Sequence, residues 1–150
     1  NSNTKLIFIC CPNNPTGNGV ALNAIKKIIE SFRGIVVIDE AYINFASYKS
    51  LIPELLNYSN LVILQTLSKA WGLAGLRLGM AFASEPIIDI FNKIKPPYNI
   101  NVVSQELALK ALDNMQQVND WIKAIVEERA RVSLELTKLL FVKKVSTLTF

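Results

Sequence analysis

The residue of this 150-residue chain best suited to covalent chemistry is Lys69, in the segment Thr66-Leu67-Ser68-Lys69 after the apolar run 61–64. Removing an ammonium group from water is costly, so a lysine at the end of a buried strand is either paired or used as a neutral amine. A neutral amine can form a Schiff base with an aldehyde. The alternative is an ordinary surface lysine near the start of a helix. The residues around Lys69 distinguish these two interpretations.

Hydroxyl and guanidinium groups flank Lys69. Thr66 and Ser68 lie before it and Arg77 lies after it. A phosphate accepts hydrogen bonds from hydroxyls and pairs bidentately with a guanidinium. Pyridoxal phosphate has both an aldehyde and a phosphate, so the segment 66–77 predicts a site for this cofactor.

Two further polar segments also follow apolar runs. Asn13-Asn14-Pro15-Thr16-Gly17 follows the run 6–11, and Asp39-Glu40-Ala41-Tyr42 ends the run that begins at residue 35. Each has a structural alternative: a turn sequence, a strand exit, or a half-buried tyrosine. In an open parallel sheet, ligands bind outside the carboxyl ends of the strands. We therefore expect the three segments to meet at one edge of the sheet.

Composition excludes several classes of function. The net charge of +4 comes from scattered pairs without a basic, aromatic-rich stripe, so we expect no nucleic-acid partner. No apolar run approaches the roughly 20 residues needed to span a bilayer, and the first ten residues do not resemble a secretory signal. The chain has no histidine, which removes Ser-His-Asp and Cys-His catalysis and histidine-ligated metals, and we predict no metal site.

The two cysteines, Cys10 and Cys11, are adjacent. On a strand their side chains point to opposite faces, so a disulfide between them is geometrically poor. We predict free, buried thiols in a reducing compartment, and hence the cytoplasm.

The order of apolar segments predicts an α/β protein with a mostly parallel sheet. The run 6–11 is continuous, as in a strand buried on both faces. A helix of roughly 23 residues, about 35 Å long, is predicted as a connector over residues 118–141. Residues 1–117 would form one unit and residues 142–150 the first strand of a second. Predicted strands cover 6–11, 35–38, 61–64 and 78–83, and predicted helices cover 22–32, 87–94, 102–112 and 118–141.

The three polar segments resemble the signature of fold type I pyridoxal-phosphate aminotransferases. The longer stretches CPNNPTGN, VVIDEAYINFA, TLSKAWGLAGLRLGMAFAS and KPPYNIN are similar to the histidinol-phosphate aminotransferase family, and the similarity runs over nearly the whole chain. The resemblance implies a three-layer architecture in which helices flank a mostly parallel sheet, as part of the large domain of such an enzyme.

The resemblance also implies residue roles. Lys69 would bind the cofactor aldehyde and move a proton during catalysis, and Asp39 would pair with the pyridine nitrogen. Asn14 and Tyr42 would hydrogen-bond the 3-hydroxyl. Glu40 is expected to face away from the ring. The phosphate would be held by Arg77, Ser68 and Thr66.

The implied activity is the transfer of an amino group between histidinol phosphate and 2-oxoglutarate, in a protein that is a homodimer when full length. Alternatives are another class I or II aminotransferase, a threonine-phosphate decarboxylase, or a non-catalytic scaffold of the same fold; a scaffold would be marked by loss of Lys69 or Asp39, and both are present. In the family, part of the phosphate site lies before residue 1 and the arginine for the substrate carboxylate lies beyond residue 150. We therefore expect the isolated segment to be inactive.

Overall fold

The computed structural model describes residues 3–143 and 145. It contains four strands and four α-helices in the described residues, together with three short 3-10 helices at Ile43–Phe45, Ile52–Asn57 and Ala74–Leu76. In chain order the longer elements are β1 (Leu6–Cys10), α1 (Leu22–Ser31), β2 (Ile35–Asp39), β3 (Leu61–Thr66), β4 (Gly79–Ala83), α2 (Glu85–Ile94), α3 (Val102–Leu112) and α4 (Met115–Thr137).

The strands form one sheet in the order β1-β2-β3-β4. The first three are parallel and β4 runs antiparallel to β3, which confirms the predicted mostly parallel α/β sheet. Asp39 at the end of β2 is in register with Cys10 of β1 and with Leu64 of β3. Parallel pairing brings the carboxyl ends of β1, β2 and β3 to the same edge of the sheet.

The core lies between α1 and one face of the sheet. Apolar residues recur along α1 at helical spacing, and Ile25 and Ile29 are buried against the sheet. Burying a side chain of this size contributes about 1.5–3 kcal/mol. The other members of this core are Cys11, Val36, Ile38, Leu51, Leu61 and Ile63.

The other face of β1 is open, so the prediction of a strand buried on both faces was wrong. Leu6 and Phe8 are 52% and 66% exposed. Cys10 points the same way and is exposed, whereas Cys11 is buried. The reason is that β1 is an edge strand and the helix that follows it packs on one side only. Both cysteines are free, as predicted, but the prediction that both are buried was wrong for Cys10.

The predicted connector helix is present but shifted along the chain. It spans Met115–Thr137, starting three residues before and ending four residues before the predicted range 118–141. Val118 is its buried residue, and Arg129 donates a 3.1 Å hydrogen bond to the carbonyl of Phe45. The division into units at 117 and 141 stays a prediction, and the strand expected over 142–150 falls mostly outside the described residues. None of the helices in the described residues combines the length and the hydropathy that a bilayer span requires.

Candidate active site

The predicted meeting of polar segments occurs at the carboxyl edge of the sheet. Residues lining a cleft there come from the ends of two strands. Its position follows from strand alternation, because Asp39 lies on the face opposite the Val36 and Ile38 side chains that α1 covers. The lining residues are Cys10, Pro12, Asn14, Asp39, Ala41 and Tyr42.

A closed turn after β1 orients Asn14. The amide of Gly17 donates to the carbonyl of Asn13 at 2.7 Å, and the amide of Asn13 donates to the carbonyl of Asn18 at 2.9 Å. Gly17 has φ of 69°, a conformation that glycine adopts without steric cost. The side-chain amide of Asn14 then donates a 2.7 Å hydrogen bond to the hydroxyl of Tyr42.

Asp39 is held by its own turn. One carboxylate oxygen accepts a 2.9 Å hydrogen bond from the amide of Ala41, and the other has no hydrogen-bond partner among the described residues. The side chain is half-buried in the cleft. An anionic oxygen is thus available to a cationic group that enters the cleft.

Lys69 joins the same site through its contact with the Tyr42 ring. Its ammonium nitrogen is 5.2 Å from the centroid of the Tyr42 ring, within cation–π range. The turn that carries it is closed by a 3.0 Å hydrogen bond from the amide of Gly72 to the Lys69 carbonyl, with φ of 67° at Gly72. The expected desolvation of Lys69 was wrong for this structure: the side chain is exposed, because the turn lifts it to the open edge of the sheet.

Thr66 closes the base of the lysine turn. Its hydroxyl donates to the carbonyl of Leu78 at 3.1 Å and accepts from the amide of Ser68 at 3.0 Å. The single hydroxyl proton is therefore used within the protein, and none remains for a phosphate in this arrangement. The Ser68 hydroxyl has no hydrogen-bond partner among the described residues.

Arg77 is not among the residues that line the cleft. It follows the 3-10 helix Ala74–Leu76 with φ of 55°, and its guanidinium donates to the Ala74 carbonyl at 3.1 Å. A non-glycine residue in this left-handed region costs about 1–3 kcal/mol, and such residues cluster at functional sites. Contacts join Asn14, Tyr42 and Lys69 in the described residues, and Ser68 and Arg77 flank Lys69 in sequence.

Glu40, to which the sequence pattern assigned no role, lies behind the site. Glu40 is 2% exposed and accepts hydrogen bonds from Ser50, Leu51 and Gln65. It is on the covered face, as expected from its predicted orientation away from the cleft. The period-two pattern of β2 could have identified it, since Val36, Ile38 and Glu40 share one face.

The described residues contain no group of three cysteine, aspartate or glutamate side chains arranged to hold a metal ion. The side chains at this edge supply an amine, a carboxylate, a phenol and a carboxamide. These groups suit an organic ligand that presents both a cationic and an anionic atom.

Comparison with known proteins assigns the fold to a family. Residues 1–147 match the family model of aminotransferase class I and II, and the chain belongs to this family. It is 54% identical over 138 residues to a histidinol-phosphate aminotransferase of Cytophaga hutchinsonii, which covers 92% of this chain and 40% of that protein. The chain spans about 40% of the length of the curated relatives it matches.

Solved structures share the architecture. The histidinol-phosphate aminotransferase from Clostridium acetobutylicum aligns with a TM-score of 0.89 at 26% identity, over 99% of this chain and 46% of that one. The enzyme from Sinorhizobium meliloti was solved in complex with pyridoxal-5'-phosphate. It aligns with a TM-score of 0.81 at 24% identity, over 91% of this chain and 38% of that one. The sheet described above is thus the aminotransferase fold.

Proposed function

We propose that this chain is the cofactor-binding part of a pyridoxal-phosphate-dependent aminotransferase that transfers an amino group between histidinol phosphate and 2-oxoglutarate. The observation that carries the proposal is the ammonium group of Lys69 at 5.2 Å from the Tyr42 ring, whose hydroxyl is hydrogen-bonded to Asn14 at 2.7 Å. An amine, a phenol and a carboxamide thus come together beside the cleft that Asp39 lines.

The donor set fits the cofactor group by group. Asp39 has a carboxylate oxygen without a protein partner in the described residues, which suits a protonated pyridine nitrogen. Asn14 and Tyr42 offer an N–H and an O–H to an ionised ring oxygen. Lys69 offers the amine for covalent attachment to the aldehyde. When bound, pyridoxal phosphate supplies an electron sink for the negative charge left when the substrate α-proton is removed.

The protein groups then divide the work. Asp39 would hold the proton on the ring nitrogen, because a neighbouring carboxylate favours the charged form. Asn14 and Tyr42 stabilise the ionised ring oxygen. Lys69 would hold the cofactor through its amine, and the same amine would remove and return the proton at the substrate α-carbon.

The phosphate would be held by Ser68 and Arg77. The Ser68 hydroxyl is without a partner in the described residues, and the Arg77 guanidinium could exchange its contact with the Ala74 carbonyl for a bidentate pair with phosphate. Thr66 would act through the turn, since its proton is bonded to Leu78.

The choice of histidinol phosphate is supported by relatives of about 50% identity that carry this name. The site residues handle the cofactor rather than the substrate, so another aminotransferase specificity or a threonine-phosphate decarboxylase activity is the alternative to be measured. We further propose that the protein from the full reading frame is a homodimer in the cytoplasm.

The test is chemical labelling followed by an activity assay on the protein from the full reading frame. Borohydride reduction and peptide mass analysis should leave pyridoxyl phosphate on Lys69. Amino transfer should be faster from histidinol phosphate than from an aromatic amino acid. A label on Lys49 or Lys93 would contradict the site, whereas a label on Lys69 with another preferred donor would correct the substrate alone.

A further inference from the structure

We propose that Glu40 is a positioning residue that holds Asp39 and Tyr42 in place for the cofactor from the opposite face of β2. This inference rests on the proposed function. It adds a role for a carboxylate that does not line the cofactor cleft.

The carboxylate of Glu40 is buried and fully engaged. Its side chain is 2% exposed. One oxygen accepts from the main-chain amide of Leu51 at 2.8 Å, and the other accepts from the hydroxyl of Ser50 at 2.6 Å and the amide of Gln65 at 2.9 Å. All three donors lie on other segments of the chain: Ser50 and Leu51 on the loop after residue 46, and Gln65 on β3.

Glu40 forms no ion pair among the described residues. Its three hydrogen bonds therefore have to offset the free-energy cost of burying the carboxylate. Burying a carboxylate is strongly unfavourable unless donors replace the water it loses. The network is also directional, because Ser50 itself accepts from the amide of Ile52 at 3.0 Å and therefore presents its proton to Glu40. A side chain that accepts three hydrogen bonds and donates none acts as a fixed anchor.

The main chain transmits this anchoring to the cleft. Glu40 donates through its amide to the Leu64 carbonyl at 2.8 Å, and its carbonyl accepts from the amide of Ile43 at 3.0 Å. Tyr42 lies inside that last turn, and Asp39 is the preceding residue. A shift of the Glu40 side chain would therefore move both groups that face the cofactor.

The hydrogen-bond polarity provides a specific test. Glu40→Gln keeps the shape of the side chain but turns a donor toward the Gln65 donor or the Ser50 hydroxyl. Gln65→Glu together with Glu40→Gln restores a donor–acceptor pair with its direction reversed. Rescue by this exchange would identify the hydrogen bond, and not bulk or net charge, as the important feature.

The experiment uses the protein from the full reading frame, loaded with pyridoxal phosphate. We would measure the pH midpoint of the bound cofactor's visible absorbance, the dissociation constant of pyridoxal phosphate from the apo protein, kcat and KM for 2-oxoglutarate, and the melting temperature. Glu54→Gln is the matched control, because this substitution makes the same charge change at a residue that forms an ion pair with Lys26 away from the cleft.

Glu40→Gln should move the absorbance midpoint by about half a pH unit and lower kcat about tenfold, the effect of one hydrogen bond, with KM little changed. The double variant Glu40→Gln/Gln65→Glu should recover most of the wild-type absorbance midpoint and most of the wild-type kcat. If Glu40→Gln fails to fold, Ser50→Ala removes one donor and should move the midpoint in the same direction by less. A lower melting temperature with the midpoint and kcat of the wild type would overturn the proposal. Absence of label on Lys69 in the wild type would instead reject the proposed function.

Discussion

The side-chain amide of Asn14 donates a 2.7 Å hydrogen bond to the hydroxyl of Tyr42, across 28 residues of chain. Asn14 belongs to the turn after β1 and Tyr42 to the segment after β2, so one contact joins the ends of two parallel strands. The Lys69 ammonium reaches the same tyrosine from the end of β3. Tyr42 is therefore the point where the three predicted segments meet.

Removing either partner of this hydrogen bond should raise the pKa that governs the absorbance of the bound cofactor. Both groups stabilise the ionised ring oxygen in the proposed site, so without them the protonated form persists to higher pH. We expect Tyr42→Phe and Asn14→Ala each to raise the midpoint by up to about one pH unit. Spectrophotometric titration measures it, with Tyr58→Phe as control, since Tyr58 bonds Glu30 outside the cleft. Unchanged midpoints would remove both residues from the proposed site.

Asp39→Asn should depress turnover while leaving cofactor binding largely intact. The amide cannot hold a proton on the ring nitrogen, so the barrier should rise by several kcal/mol, where about 1.4 kcal/mol is tenfold. Steady-state kinetics at saturating pyridoxal phosphate measures this effect. A variant that lost cofactor but kept its rate when saturated would show that Asp39 anchors the cofactor and does not tune it.

Arg77→Ala should mainly weaken retention of the cofactor, because it removes a bidentate, charge-assisted contact with the phosphate. We expect the dissociation constant to rise at least about tenfold, as for a hydrogen bond to a charged group. Equilibrium dialysis of pyridoxal phosphate measures it, with Arg33→Ala as the control at an exposed position after α1. Equal effects of the two variants would argue against a phosphate contact.

Substitutions at Thr66 and Ser68 should have different effects: the first on the stability of the protein, the second on cofactor binding. Thr66→Val removes two hydrogen bonds of the turn, so the apo protein should lose about 1–3 kcal/mol of unfolding free energy, and Thr66→Ser should retain most of it. Ser68→Ala should leave the apo protein's stability unchanged and weaken cofactor binding. Urea unfolding of the apo protein, paired with cofactor titration, gives both quantities. The reverse pattern would assign the phosphate contact to Thr66.

Tyr48 should make stability depend on alkaline pH. Burial, reinforced by the Cys11 thiol at 3.1 Å and the charge of Glu40, raises the pKa of Tyr48 above its ordinary value of 10.0. The folded protein then keeps a proton that the unfolded chain releases, so the free energy of unfolding falls as pH rises above 10.0. Tyr48→Phe should remove this part of the fall. Urea unfolding at pH values below and above 10.0 tests this prediction. Tyr98→Phe is the control, because Tyr98 is exposed. If the unfolding free energy fell equally steeply with pH in the wild type and in Tyr48→Phe, the prediction would be contradicted.

The site depends on groups from three strand ends, and much of that could be predicted. Apolar periodicity identified the strands, the boundaries of α3 and the existence of a long α4. Strand direction then predicted that Asn14, Asp39, Tyr42 and Lys69 share one edge. Local turn chemistry sufficed here, because glycine at 17 and 72 and the polar residues around them act over a few positions.

What the amino-acid sequence determined by itself was the order and type of the elements and the end of the sheet at which the chemistry lies, because both follow from residues close together in the chain. Tertiary structure decided the rest. It determined that Leu6, Phe8 and Cys10 lie on an open face, that the Thr66 proton bonds Leu78, and that Glu40 is buried beneath Ser50 and Gln65. The physical reason is that burial and hydrogen-bond partners are set by segments distant in sequence, and a strand's own pattern does not say which segment will cover each face.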